Sequence, residues 1–515
     1  MRITNKIIQN NSLTNINRNK ELEDKLNTMM STEKKITRPS DDPVIAIRAL
    51  RLHTNLTKVN QYYERNVADA RAWLKITQDA VENTVDVISD MYDQCVAGSK
   101  DSLKPDDRSK ILENLKALRD EIYATGNSDY AGRYVFSGYR TDTTLTFKGS
   151  TTKNYSITEK FSTEALQDIT YVDTKDLNTI TSVNAATLTT TERDVEASQV
   201  HRLRLAYANC SDGALPVISY YDSTGAQQTI TVDAADVVSV YSTSPNPYLA
   251  AEDSANGVVF IPETGELILS DSVYNTLLGL KDVGGTQTIN EGEFRVTYEK
   301  SQWSNNELRP EHYYACTSTD DGIQYNQDFL TNLPTDTDGQ IISYDMGMNQ
   351  TLRVNTVAND VYTPDVGRDV DDLITITEQV IEMNEIKSKL EAMVASETNT
   401  TQKAQLQERL TAVNKSVSLM EDKMQKMFEN GITKMQGYLD VANLALTQVG
   451  SRGARVDLIE NRLSSQVTTF ETLTSENENE DAEIIAVQLA SAQFSYEAAL
   501  MATGKITQTT LLNYL

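Results

Sequence analysis

The feature that most constrains this chain is a stripe of apolar residues, spaced three or four apart, that covers both ends and skips the middle. It runs from Leu52 through Leu56, Val59, Tyr63, Val67, Ala70, Leu74, Thr77, Val81, Val85, Ile88 and Tyr92 to Cys95. That spacing matches the roughly 3.6-residue turn of an α-helix and lays one buried line along it. No Pro or Gly interrupts the run. Pro43 follows Ser40-Asp41-Asp42, where a side-chain oxygen can accept the first free N–H groups and proline suits the first turn. A second helix is expected from Pro105, with Ile111, Leu115, Leu118 and Ile122 on its apolar face, closing at Gly126-Asn127.

The same period resumes at Val370. One stripe passes through Leu373, Ile376, Val380, Met383, Ile386 and Leu390, and a loop over 396–401 breaks it. Another runs through Leu406, Leu410, Val413, Val417 and Met420 to a soft break at Gly431, and Leu439, Ala442, Leu446, Val449, Val456, Ile459, Leu463, Val467, Phe470 and Leu473 carry it on. After the acidic stretch 476–481, a last helix places Ile485, Leu489, Ala492, Tyr496 and Ala499 on one face and ends at Leu515.

Between the two arms the pattern changes. From about Tyr134 to Thr363 the chain is rich in Thr, Val, Tyr and Gly. Val217–Tyr221 and Thr229–Val232 flank a Ser223-Thr224-Gly225 turn, and Val258–Ile261 and Glu266–Leu269 flank Glu263-Thr264-Gly265; both read as β-hairpins. Phe294–Tyr298 and Thr351–Val354 read as further strands, so a sandwich or barrel is expected here.

The predicted fold is therefore mainly α with a β insert: a long antiparallel helical bundle formed by the N- and C-terminal segments, plus central all-β structure. Each helix presents an apolar stripe that needs a partner, so the arms must share a core. The seam is predicted to join Leu52, Leu56, Val59, Tyr63, Leu74, Val81 and Ile88 with Leu446, Val449, Val456, Ile459 and Leu463. Residues 44–138 form the first arm, 139–364 the surface-exposed β insert, and 365–470 the second arm, packing on 44–138. Residues 1–43 are Asn-rich and weakly amphipathic, with Ile3, Ile7 and Ile8 isolated among polar neighbours. Such a segment buries too little to offset its ordering entropy, so it is expected to be disordered in the monomer and to pair with 471–515 on assembly.

Composition narrows function. The 515 residues carry 39% hydrophobic and 23% charged side chains, enough for real cores. A net charge of −27 repels phosphate backbones and argues against nucleic-acid binding. Solubility is the plain reading of that acidity. No apolar run is long enough for a membrane span, and the first residues lack the apolar core of a cleaved secretion signal. Cys95, Cys210 and Cys316 are far apart; Cys95 lies on the helical stripe as a small hydrophobe, and a Cys210–Cys316 bridge is left open. His53, His201 and His312 are in separate regions, with no metal-ligand spacing among them and no catalytic motif. Asp320-Asp321-Gly322 and Asp336-Thr337-Asp338-Gly339 lack the rest of a calcium loop and read as turns. No catalytic, metal or cofactor site is expected.

Several segments, in order, resemble the family of flagellins and hook-associated protein 3. Arg38-Pro39-Ser40-Asp41-Asp42-Pro43 resembles its N-terminal element, in a form closer to the hook-associated members, and Asn66 stands where the family usually has an Asn. Arg133–Gly138 is similar to its exit from the helical region, and Ile342–Tyr344 through Gln350, with Val354-Asn355, to its return strand. Leu446–Arg455, Leu458–Leu463, Glu478–Ala482, Phe494–Leu500 and Leu511–Leu515 resemble its C-terminal helices. Most of 141–363, and 391–408, match nothing in that pattern. The resemblance implies a secreted structural subunit at the junction between the first hook-associated protein and the flagellin filament. Implied with it are copies of itself in a ring, export through the flagellar type III apparatus with an uncleaved signal in 1–43, and a chaperone at the C-terminal helices. The alternatives are a filament-forming flagellin, a surface adhesin on a helical stalk, and an enzyme carried in the insert.

Overall fold

The computed structural model describes residues 5–100, 104–181, 184–285, 290–330 and 340–508. In chain order the helices are α1 (Asn5–Thr32), α2 (Pro43–Gln61), α3 (Ala68–Gly98), α4 (Pro105–Glu121), α5 (Asp271–Leu278), α6 (Pro364–Ser396), α7 (Thr400–Glu478) and α8 (Ala482–Gln508). The strands begin with β1 (Asp129–Tyr130), β2 (Arg133–Tyr134), β3 (Thr151–Ser162), β4 (Leu166–Asp173), β5 (Glu196–Arg204), β6 (Val217–Tyr221) and β7 (Gln227–Thr231). They continue with β8 (Val258–Ile261), β9 (Glu266–Leu269), β10 (Glu293–Trp303), β11 (Ala315–Ser318), β12 (Gln324–Tyr325), β13 (Ser343–Gly347) and β14 (Gln350–Arg353). The architecture is mainly α with a β insert.

The chain divides into two compact units, one of Met1–Arg71, Tyr344–Leu352 and Ala454–Leu515, the other of Ala72–Ser343 and Arg353–Gly453. Residues 139–364 do not separate as a unit of their own.

The larger unit has a helical core, two large sheets and the short β1–β2 pair. Trp73, Leu74, Val81, Ile88 and Met91 of α3 are buried, as are Leu373, Ile376, Val380 and Leu390 of α6 and Val413, Phe428 and Val449 of α7. Gly98 allows α3 to approach α7 closely, because a Cβ there would collide with the Phe428 ring. Gly431, expected as a soft break, lies inside the unbroken α7. A Cβ on it would come within 3.1 Å of Cys95 Sγ, so it serves a close approach, and packing outweighs its poor helix propensity. Helix α4 is tied to α6 by Arg119–Asp371 (2.9 Å) and Lys116–Glu378 (2.8 Å).

The six-stranded sheet has the order β12-β11-β3-β10-β6-β7 and the four-stranded sheet β4-β5-β9-β8. Both predicted hairpins are present as β6–β7 and β8–β9. The long β3–β10 pairing and the helix α5 were not anticipated, so the insert is not all-β. The four-stranded sheet is fastened to α6 by buried ion pairs. Arg202 meets Glu266 at 2.6 Å and Asp372 at 2.8 Å, and Arg204 meets Asp369 at 2.6 Å. Each buried charge is thereby paired, as desolvation requires. All three cysteines are free and buried, and burial pushes each thiol up to about 12.

In the smaller unit, α2 passes into α3 through a wider π turn, Tyr62–Val67, where the sequence suggested an even helix. Asn66 sits in that turn, and its Nδ2 donates to the Asp345 carbonyl at 2.7 Å.

Candidate assembly surface

The smaller unit holds most residues that the sequence marks for assembly. Asp42 caps α2, its Oδ1 accepting from Val44 N at 2.9 Å and Ile45 N at 3.2 Å, while Pro43 is the first helical residue. Asp41 Oδ2 accepts from Arg38 N at 2.9 Å and Thr37 N at 3.2 Å, which holds its carboxyl below the usual range. The Arg38–Pro43 segment is thus a turn plus a helix start, with Arg38, Pro39, Ser40 and Asp41 exposed.

Helices α1 and α8 lie antiparallel. Asn19 Nδ2 donates to Ser495 O at 3.3 Å, and an antiparallel bridge joins Lys34 and Asn479. Around that bridge Lys35 N donates to Glu478 O (2.7 Å), Glu480 N to Glu33 O (3.1 Å) and Lys34 Nζ to Glu478 (3.1 Å). The tail of α7 meets α2 through Asn477 Nδ2 to Ile45 O (3.2 Å) and His53–Glu478 (2.5 Å). It meets the start of α3 through Arg71, which pairs with Asp457 at 2.8 Å and with Glu460.

Burial sorts the predicted seam. Val456, Ile459 and Leu463 are buried in this unit, and Leu52, Leu56, Val59 and Tyr63 are half-buried. Leu74, Val81, Ile88 and Val449 are buried in the larger unit, and Leu446 is half-buried there. On α8, Ile485 and Ala492 are buried while Leu489, Tyr496 and Ala499 are half-buried; Leu515 lies outside the described residues. Residues 5–32, expected to order on assembly, form a helix whose one fully buried apolar side chain is Leu26.

Sequence reasoning missed the other face of the same helices. Ile484, Val487, Phe494 and Met501 recur along α8 at helical spacing and are exposed, the last three at 70% or more. Val44, Ile47 and Leu50 form a similar exposed line on α2, and Ile7, Leu13 and Leu22 are exposed on α1. The signal was legible: α8 is apolar around most of its circumference, and a helix of that kind is buried somewhere. Aligned exposed apolar residues mark interaction surfaces, unlike apolar residues scattered singly.

The three histidines have separate settings. His53 pairs with Glu478; His201 lies between Asp168 (2.6 Å) and Asp271 (3.0 Å), stacked on Tyr274; His312 is buried against Thr144 O (3.0 Å). Asp320 accepts from Asn154, as a turn carboxylate does, and Asp336–Gly339 lies outside the described residues. Among the described residues there is no cluster that could hold a metal ion, and no helix is long and apolar enough to cross a membrane.

The paired terminal helices carry aligned apolar residues on their outward faces. Residues 3–141 match the family described as bacterial flagellin N-terminal helical region. The chain is 30% identical over 144 residues to flagellar hook-associated protein 3 of Salmonella typhimurium, covering 28% of this chain and 45% of that protein. It is 31% identical over 121 residues to flagellar hook-associated protein 3 of Escherichia coli, covering 23% of this chain and 38% of that protein. It is also 24% identical over 202 residues to flagellin of Clostridium tyrobutyricum, covering 38% of this chain and 53% of that one. The chain thus spans about half the length, or less, of the curated relatives it matches.

Proposed function

We propose that this chain is a non-enzymatic structural subunit of the bacterial flagellum, placed outside the cell between the first hook-associated protein and the flagellin filament. The observation that carries the reading is the α1–α8 pair, with Val487, Phe494 and Met501 facing outward on a chain whose N-terminal region is flagellin-like. Those side chains are completed by neighbouring copies in a ring, by the first hook-associated protein on one side and by flagellin on the other. Repeating head-to-tail contacts are the geometry that closes a ring. Residues 1–43 and 471–515 act as the assembly segments and 139–364 faces solvent. Export runs through the flagellar type III apparatus, with a chaperone covering the C-terminal helices beforehand, because an apolar helix face left open invites early association.

A filament-forming flagellin is the second reading, favoured by the flagellin relative. A deletion strain separates the two: loss of a junction subunit spills unpolymerised flagellin into the medium, and loss of flagellin leaves none to spill. The surface itself is tested by Val487→Asp with Phe494→Asp. The doubly substituted chain is expected to keep its melting temperature, since both side chains are exposed, and to fail to enter flagella. Normal incorporation would reject the assignment of this face.

A further inference from the structure

The two large sheets have four edges, and three of them are blunted. Strand β12 is two residues long and the chain turns away at Asn326, whose φ is 51°. The outer side of β8 is covered, with Val238 N donating to Phe260 O at 2.9 Å beside a parallel bridge from Val237. Strand β4 carries the carboxylates of Asp168 and Asp173. Charge, shortness and covering are the usual devices that stop an edge from recruiting another strand.

The fourth edge, β7, is uncharged and longer than β12, and its covering is one contact at Thr231. Its sequence is Gln227-Gln228-Thr229-Ile230-Thr231, without charge, proline or bulge, and four of the five residues are exposed. Its register with β6 fixes which main-chain groups face outward. Asp222 N donates to Ala226 O and Val232 N to Pro216 O, so the bonded pairs fall on even-numbered residues of β7. The N–H and C=O groups of Gln227, Thr229 and Thr231 therefore point away from the sheet. Among the described residues their one partner is Asn256, whose Nδ2 donates to Thr231 O at 2.8 Å.

We infer that β7 is a pairing edge for a second copy of this chain, two β7 strands meeting antiparallel with Thr229 opposite Thr229. That register joins Gln227 to Thr231 on either side, so every outward group finds a partner, and the Thr231 carbonyl keeps a second lone pair for Asn256. On one face only Thr and Gln side chains meet, and on the other each Ile230 lies across from Gln228. Two molecules of net charge −27 repel each other over most of their surfaces. An uncharged edge that sets no like charges opposite one another is where they can approach. Five residues bury less than the roughly 1,000 Å² of a stable interface, so the pair is weak and forms at high subunit concentration. The contact is two-fold and its partners point in opposite directions. On the axial reading above, neighbours in a polar ring cannot share it, so it joins subunits that do not belong to the same ring.

The test is sedimentation equilibrium of the full chain over a graded concentration series, in the Val487→Asp, Phe494→Asp background so that the outward face of α8 is disabled, any association through α1 or α2 being common to every variant compared. The parent is expected to show a monomer–dimer equilibrium. Thr229→Glu, which sets two carboxylates face to face, and Thr229→Lys are each expected to weaken it at least tenfold. Residue 229 points its N–H outward, so the β6–β7 ladder survives, and circular dichroism checks this. Mixing the Glu and Lys chains restores the dimer, which only direct 229–229 apposition predicts. A parent that stays monomeric throughout, a Glu variant that pairs like the parent, or a mixture that fails to recover would each overturn the inference, the last two assigning association to another surface.

Discussion

Two buried titratable residues of the larger unit pull stability in opposite directions with pH. Glu159 is enclosed, taking hydrogen bonds from Tyr298 Oη and Ala206 N, and burial pushes its pKa from 4.5 up to about 7. The folded chain keeps that proton while the unfolded chain has released it, so this contribution is complete below about pH 4.5 and is lost as pH rises to about 7. His312 is the reverse case. Burial lowers its pKa from 6.5 to about 4, so its contribution is complete above pH 6.5 and is lost as pH falls to about 4. Each is worth about 3 kcal/mol at full effect, and the two largely offset each other in the native chain. Glu159→Gln should therefore unmask a melting temperature that climbs from pH 4 to 6.5 relative to the parent, and His312→Gln one that declines from pH 4.5 to 7. Parallel curves for parent and variants would show that neither group is coupled to folding. Neither role was legible beforehand, because a lone Glu or His in a β-rich sequence gives no sign of how deeply a distant strand will cover it.

At the scale of elements, what the sequence disclosed depended on how local the signal was. The periodicity of 43–98 and 400–478 is written in every turn, so α2, α3 and α7 were foreseeable, as were the tight-turn hairpins β6–β7 and β8–β9. The pairing of β3 with β10 spans more than a hundred residues and leaves no local trace, and the π turn at Asn66 depends on Asp345 far along the chain. The α8 face was half read. Ile485, Leu489, Ala492 and Tyr496 were visible as one stripe, but the opposite line through Val487 and Phe494 was not separated from it, since a helix apolar on both sides has no single preferred face. The two lines predict different defects. Replacing Leu489 and Tyr496 with Asp puts charge on the half-buried side that faces α1, and α1 has only Leu26 fully buried to hold it there. Amide exchange over residues 13–26 should then rise toward that of an unstructured peptide. The main melting transition should stay within a few degrees, and the chain should no longer assemble. Unchanged protection over 13–26, or normal incorporation into flagella, would remove Leu489 and Tyr496 from the seam.

For the whole molecule, charge and apolar surface act at different ranges, and that difference predicts how assembly responds to salt. Every copy carries −27, so copies brought side by side repel through charges distributed over their surfaces. Exposed charges are screened beyond about 10 Å at 0.1 M salt and about 3 Å at 1 M. The attraction assigned to Val487, Phe494, Val44 and Leu50 comes from apolar area removed from water, which salt does not weaken. Subunit polymerisation should accordingly start at a lower protein concentration in 0.5 M than in 0.02 M sodium chloride. The ion pairs of Arg202 and Arg204 with Asp369, Asp372 and Glu266 are buried within one chain and are poorly screened, so the melting temperature of the single subunit should move little over the same range. Light scattering against protein concentration at the two salt levels, beside calorimetry of the dilute chain, separates the effects. If salt instead raised the concentration needed for assembly, the copies would be held together by ion pairs, and the exposed apolar lines of α2 and α8 would need a different occupant.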